Sequence, residues 1–116
     1  MSAEDKILGR KEGGVGYITF NNPAKRNAVS LDMWVSFTAL LEDYEADPSL
    51  LALVINGAGG KAFVSGADIS KFESERATKE AVAKYNATSG KAYEKLLNFS
   101  KPTIAKINGF CVGGGL

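Results

Sequence analysis

An α/β fold with a largely parallel sheet is predicted by three features of the 116-residue sequence. Two short runs, Leu51-Ala52-Leu53-Val54-Ile55 and Thr103-Ile104-Ala105-Lys106-Ile107, read as strands buried on both faces. A longer segment with apolar residues at helical spacing precedes each run. Strands joined through helical crossovers imply parallel pairing with right-handed connections.

Taken in order, Lys6 to Arg10 and Val15 to Phe20 read as strands flanking Gly13-Gly14, a pairing that suits a hairpin. Pro23, in Asn21-Asn22-Pro23, ends the second strand because it has no N–H to give a ladder. Ser30 is a good N-cap for a helix whose apolar face holds Met33, Trp34, Phe37, Leu40, Leu41 and Tyr44. That helix closes at Asp47-Pro48, since a residue before proline disfavours helical backbone. After the strand at Leu51 to Ile55, Thr78 caps a second helix with apolar positions Val82, Tyr85, Ala92, Tyr93, Leu96 and Leu97. Gly90 inside it costs roughly 0.8–1 kcal/mol against alanine. Lys101-Pro102 stops this helix before the strand at Thr103 to Ile107. The expected order is β-β-α-β-α-β, with no repeat, linker or low-complexity segment to divide it.

The composition excludes several classes of function. Hydrophobic residues make up 45% and charged residues 23%, a balance that supports a packed core. Fourteen Lys and Arg against thirteen Asp and Glu leave a net charge of +1, which offers no field for nucleic acid or an anionic membrane. The lone Cys111 excludes an internal disulfide framework, and the absence of histidine excludes Ser–His and Cys–His pairs and His-based zinc sites among these residues. We expect no metal. With no basic, apolar leader at Met1-Ser2-Ala3-Glu4-Asp5 and no transmembrane-length run, the expectation is a cytoplasmic protein.

Three glycine-rich segments invite chemistry. Gly57-Ala58-Gly59-Gly60-Lys61-Ala62 matches a relaxed dinucleotide fingerprint, but the extended Phe63-Val64 follows where a helix is required, so it reads as a surface turn. Ser65-Gly66-Ala67-Asp68 and Gly113-Gly114-Gly115 each follow a strand-like run, where open α/β sheets place ligands. In both, bare backbone N–H groups can converge on one ligand atom. The plain alternatives are a helix cap at Asp68 and a tight crossing of two elements at the glycines.

Taken together, three pieces resemble the crotonase (enoyl-CoA hydratase/isomerase) superfamily. They are Asn22-Pro23-Ala24-Lys25-Arg26-Asn27-Ala28-Val29-Ser30, Phe63-Val64-Ser65-Gly66-Ala67-Asp68-Ile69, and Lys101-Pro102-Thr103-Ile104-Ala105-Lys106-Ile107-Asn108-Gly109 running into Gly113-Gly114-Gly115. The resemblance implies a fold of repeated ββα units, incomplete at the C-terminus, with residues 1–116 as the amino-terminal part of one domain. It implies an acyl-CoA thioester substrate, with coenzyme A carried on the substrate and no separate cofactor. The backbone N–H groups of Ala67 and Gly114 would then form the oxyanion hole. Lys25, Arg26 and Ala28 would line the coenzyme A site, and Asp68, Ile69 and Ser70 its adenine and pantetheine path. Taken singly, Lys25 and Arg26 read first as solvated loop charges, Asn27 as a turn brace, Phe72 as core ahead of acyl-pocket lining, and Cys111 as a small packed side chain.

In hydratases of that family, one acid/base glutamate follows the glycine turn and a second lies further on, so both are expected after Leu116. The implied reaction is hydration of a trans-2-enoyl-CoA, with isomerase, decarboxylase, hydrolase and non-catalytic CoA- or RNA-binding relatives as alternatives. The resemblance also implies a homo-oligomer, a trimer or dimer of trimers, in full-length relatives. It implies negligible turnover by these residues alone.

Overall fold

The computed structural model describes residues 6–68 and 77–115. Strands β1 (Ile7–Glu12) and β2 (Val15–Phe20) form an antiparallel hairpin, with Ile7 opposite Phe20 and Glu12 opposite Val15. Its turn residues Gly13 and Gly14 both have positive φ, as the primed turns that match strand twist require. Helix α1 (Leu31–Ala46) leads to β3 (Ala52–Gly57), which lies parallel to β2 with Ile55 opposite Ile18. After the short β4 (Ala62–Val64) comes helix α2 (Lys79–Leu97). Strand β5 (Thr103–Lys106) then joins β3 in parallel, so the main sheet runs β1-β2-β3-β5.

Helix α1 starts after Ser30 and ends at Asp47, where the backbone is extended ahead of Pro48. It buries Met33, Trp34, Phe37, Leu41 and Tyr44 against Ile18, Phe20, Leu53 and Ile55. Phe37 stacks on Phe20 with ring centroids 5.2 Å apart, and Trp34 meets Phe20 edge-on at 6.3 Å. The Tyr44 hydroxyl donates to the Tyr17 carbonyl at 3.1 Å and so ties the helix to the hairpin. Thr78 caps α2 as expected, its Oγ1 accepting from the Ala81 N–H at 3.0 Å.

Two strand expectations are corrected. β3 alternates between buried and half-buried residues instead of being covered on both faces. Helices α1 and α2 pack against each other, and α1 lies on the hairpin strands. Each residue of β5 is exposed, and Ile104 retains 55% of its surface. A strand of buried sequence therefore stands at the open edge of the sheet. The reading also missed a second, two-stranded sheet. In it β4 pairs in parallel with β6 (Phe110–Cys111), an element too short to show any alternation. The first strand runs two residues past its expected end at Arg10. Among the described residues no helix is long and apolar enough to cross a membrane.

Candidate functional site

Between β2 and α1 the chain makes a tight loop. Pro23–Lys25 form a 3-10 turn, and Arg26 and Asn27 follow with φ of 53° and 61°. Non-glycine residues avoid that left-handed region, and asparagine tolerates it best because its short amide can bond locally. Asn27 uses that capacity fully. Its Oδ1 accepts from the Asn22 N–H at 2.8 Å, and its Nδ2 donates to the carbonyls of Ala58 at 2.9 Å and Ala62 at 2.8 Å. The side chain has no exposed surface. Asn27 is thus more than the local brace expected of it, since it joins this loop to the turn after β3 and to the start of β4. Lys25 and Arg26 stand exposed on the loop and Ala28 is buried.

Beyond β4, Ala67 forms an isolated parallel bridge with Val29. The Val29 N–H donates to the Gly66 carbonyl at 2.9 Å, and the Asp68 N–H donates to the Val29 carbonyl at 3.0 Å. In a parallel bridge of this kind the residue between the two bonds directs its own N–H to the opposite side. The Ala67 amide is therefore turned away from Val29. Asp68 is buried at 3% exposure, with a carboxylate oxygen 3.5 Å from the Lys25 ammonium. Two residues expected along one coenzyme A path thus meet as an ion pair. Ser65 adds a tie, its hydroxyl donating to the Lys25 carbonyl at 3.3 Å.

The second glycine turn packs beside this segment. The Val112 N–H donates to the Val64 carbonyl at 3.0 Å, and the Gly115 N–H closes a 3-10 turn onto the Val112 carbonyl at 3.0 Å. A turn closed in this way leaves the intervening N–H groups, those of Gly113 and Gly114, outside its own bonding. The approach is close enough to demand glycine: a Cβ on Gly115 would stand 2.7 Å from the Val64 carbonyl oxygen. A Cβ on Gly113 would stand 3.5 Å from the Gly66 Cα. The Cys111 thiol is half-buried, packed against the core and 3.3 Å from the Gly115 carbonyl, which fits a packing role.

The structure therefore brings together Lys25, Arg26, Ala28, Ala67, Asp68 and the turn that carries Gly114. Ile69, Ser70 and Phe72 lie outside the described residues. Among the described residues, grooves of about 390, 410 and 550 Å³ border α1, away from these candidate residues. No cluster of His, Cys, Asp or Glu among the described residues suits a metal ion. Sequence reasoning missed Val29 as the strand-like partner of Ala67, because one bridge leaves no pattern. It placed Tyr85 in the core from helical spacing, and that spacing carries no sign of what its hydroxyl meets.

The fold is thus an α/β sheet with two glycine turns stacked beside the β4–β6 pair. The sequence model of the enoyl-CoA hydratase/isomerase family matches residues 10–116, and the chain belongs to that family. It is 37% identical over 111 residues to a short-chain-enoyl-CoA hydratase of Clostridium acetobutylicum, covering 96% of this chain and 42% of that protein. The human mitochondrial 3-hydroxyisobutyryl-CoA hydrolase is 34% identical, over 98% of this chain and 30% of that one. An enoyl-CoA hydratase/carnithine racemase from Magnetospirillum magneticum superposes with a TM-score of 0.90 at 39% identity, over 96% of this chain and 42% of that one. The chain thus spans less than half the length of each of these relatives.

Proposed function

We propose that these residues form the thioester-binding and anion-stabilising part of an enoyl-CoA hydratase. The Ala67 and Gly114 amides both donate to the thioester carbonyl oxygen as it gains enolate charge. Fixed main-chain dipoles suit this task because they need no reorganisation as charge develops. Lys25 and Arg26 face the phosphates of coenzyme A, and Ala28, Asp68, Ile69 and Ser70 line the path of its adenine and pantetheine. Coenzyme A enters with the substrate, and no further cofactor takes part. The acid/base carboxylates that activate water belong to polypeptide outside residues 1–116, where oligomer contacts are also made.

The observation that carries the reading is the bonding around Ala67. Val29 engages both neighbours of Ala67 and leaves the Ala67 N–H turned the other way, while the Gly113–Gly115 turn packs against Val64 and Gly66. The 3-hydroxyisobutyryl-CoA hydrolase among the relatives favours a second reading, thioester hydrolysis, which uses the same amides.

Crotonyl-CoA labelled with 13C at the carbonyl tests the proposal. On binding, its carbonyl stretch should fall in frequency. Replacing the Ala67 amide by a backbone ester, which removes the N–H alone, should restore much of that frequency. In a catalytically complete enzyme, losing one such donor costs about 2.7–4 kcal/mol of transition-state stabilisation. An unmoved band, or binding of RNA alone with steep salt dependence, overturns the proposal.

A further inference from the structure

We infer that Tyr85 is a positioning residue that holds the Ala67 amide in line through the Val29 carbonyl. The inference rests on the role proposed above for Ala67. Tyr85 lies on α2 with 6% of its surface exposed, and its hydroxyl donates to the Val29 carbonyl at 3.4 Å. That same carbonyl accepts from the Asp68 N–H at 3.0 Å, one of the two bonds that set the direction of Ala67. The Trp34 indole N–H, on α1, donates to the Tyr85 oxygen at 3.3 Å. An indole nitrogen can only donate, so the phenol accepts from Trp34 and turns its proton to Val29. The chain Trp34 to Tyr85 to Val29 to Asp68 thus joins both helices to the backbone beside Ala67. In this buried setting Trp34 polarises the Tyr85 hydroxyl, and the Val29 carbonyl then receives two donors, the phenol and the Asp68 N–H.

Stability alone is a weak reason for this arrangement. A buried hydrogen bond contributes modestly, and replacing its partners with apolar groups of the same shape can be nearly neutral. Trp34 and Tyr85 lie in the core with Phe20 and Phe37, where phenylalanine would pack. What the hydroxyl adds is direction: it occupies the second lone pair of the Val29 carbonyl and restrains the peptide that faces Ala67. Long hydrogen bonds at such sites shorten when a ligand closes them, so the 3.3 and 3.4 Å separations leave room for this.

The test is Tyr85→Phe in the 116-residue chain, read by the carbonyl stretch of bound 13C-crotonyl-CoA and by hydrogen exchange of the Asp68 amide. The band displacement seen with the parent chain should fall by about half, while affinity changes by less than about threefold, because a misaimed donor removes polarisation more than uniform binding. Asp68 amide exchange in the ligand-free protein should quicken by about fivefold as its acceptor loosens. If Tyr85→Phe fails to fold, Trp34→Phe keeps the phenol but frees it to rotate, and a smaller loss of displacement is expected. Equal displacement in parent and variant overturns the role of Tyr85 and leaves the proposed function standing. No displacement in the parent chain overturns the proposed function, and this inference with it.

Discussion

The two long helices have similar lengths and opposite relations to the core. Helix α1 buries six residues, Met33, Trp34, Phe37, Thr38, Leu41 and Tyr44, whereas α2 buries only Tyr85 and Ala92. Leu97 at the end of α2 retains 84% of its surface, and Val82 and Tyr93 are also exposed. The same division runs through the sheet, where Ile18 and Leu53 are enclosed and β5 is open. Apolar spacing marks the face a helix is able to bury, but a layer on that side must exist for burial to happen. Of the two residues α2 does bury, Tyr85 carries a hydrogen bond toward the candidate site. The loosely covered helix is therefore anchored where the backbone of Ala67 is set.

The largest effect expected from this contrast is at its enclosed end. Phe37→Ala removes a ring stacked on Phe20 and should cost about 3–5 kcal/mol, measured by urea unfolding. Leu97→Ala, an equally apolar position by spacing, should change stability by less than about 0.5 kcal/mol. Similar losses from the two substitutions would break the contrast. Next comes the loop that carries Lys25 and Arg26. Asn27→Ala removes the partner of Asn22, Ala58 and Ala62 and leaves alanine in left-handed backbone, a change expected to cost about 2–4 kcal/mol. Asn27→Gly keeps that backbone conformation without strain and should cost about 1 kcal/mol less. If the two variants prove equal, the backbone conformation contributes nothing and the bonds carry the whole effect.

These elements also show what the sequence disclosed. Helix α2 ends at Leu97, short of the expected stop at Lys101-Pro102. Ser30, Thr78 and the Asp47-Pro48 stop did place helix limits, because caps and proline act through neighbouring backbone alone. The two glycine turns were legible for the same reason. The pairing of Val29 with Ala67, the sheet of β4 with β6 and the bonds of Asn27 to Ala58 and Ala62 were not. Each depends on residues some 30 to 50 positions apart, and no local periodicity records a single bridge. Burial of β5 was misread because a strand's apolar content does not say which neighbours cover it.

Gly90 sharpens the comparison from the open side. It sits inside α2, and a Cβ there would meet nothing within 4 Å. Gly90→Ala should therefore stabilise the protein by about 0.8–1 kcal/mol, since the gain in helix propensity meets no steric cost. A loss on thermal or urea unfolding would mean that this face of α2 is covered after all.

The smallest effect belongs to charges at the end of α1, where the enclosed region meets solvent. Asp47 accepts from Lys11 at 2.7 Å and from the Ser49 N–H at 2.9 Å, and these bonds, Lys11 foremost, hold its carboxyl well below the usual range. A carboxyl depressed on folding contributes stability above its unfolded pKa and loses it as pH falls toward the folded value. The Lys11 ammonium, raised by the same pairing, contributes below its ordinary value and loses that contribution only in strong alkali. Between these limits the pair is intact and stability should be flat in pH on its account. Asp47→Asn should therefore flatten the acid limb of a stability–pH profile below about pH 4 and leave the profile near neutrality almost unmoved. Because both groups lie at the surface, added salt should shrink the difference further. A variant that instead kept the full acid limb would show that the charge of Asp47 contributes nothing and leave it only its bonding to Ser49, a turn-closing role that asparagine also fills.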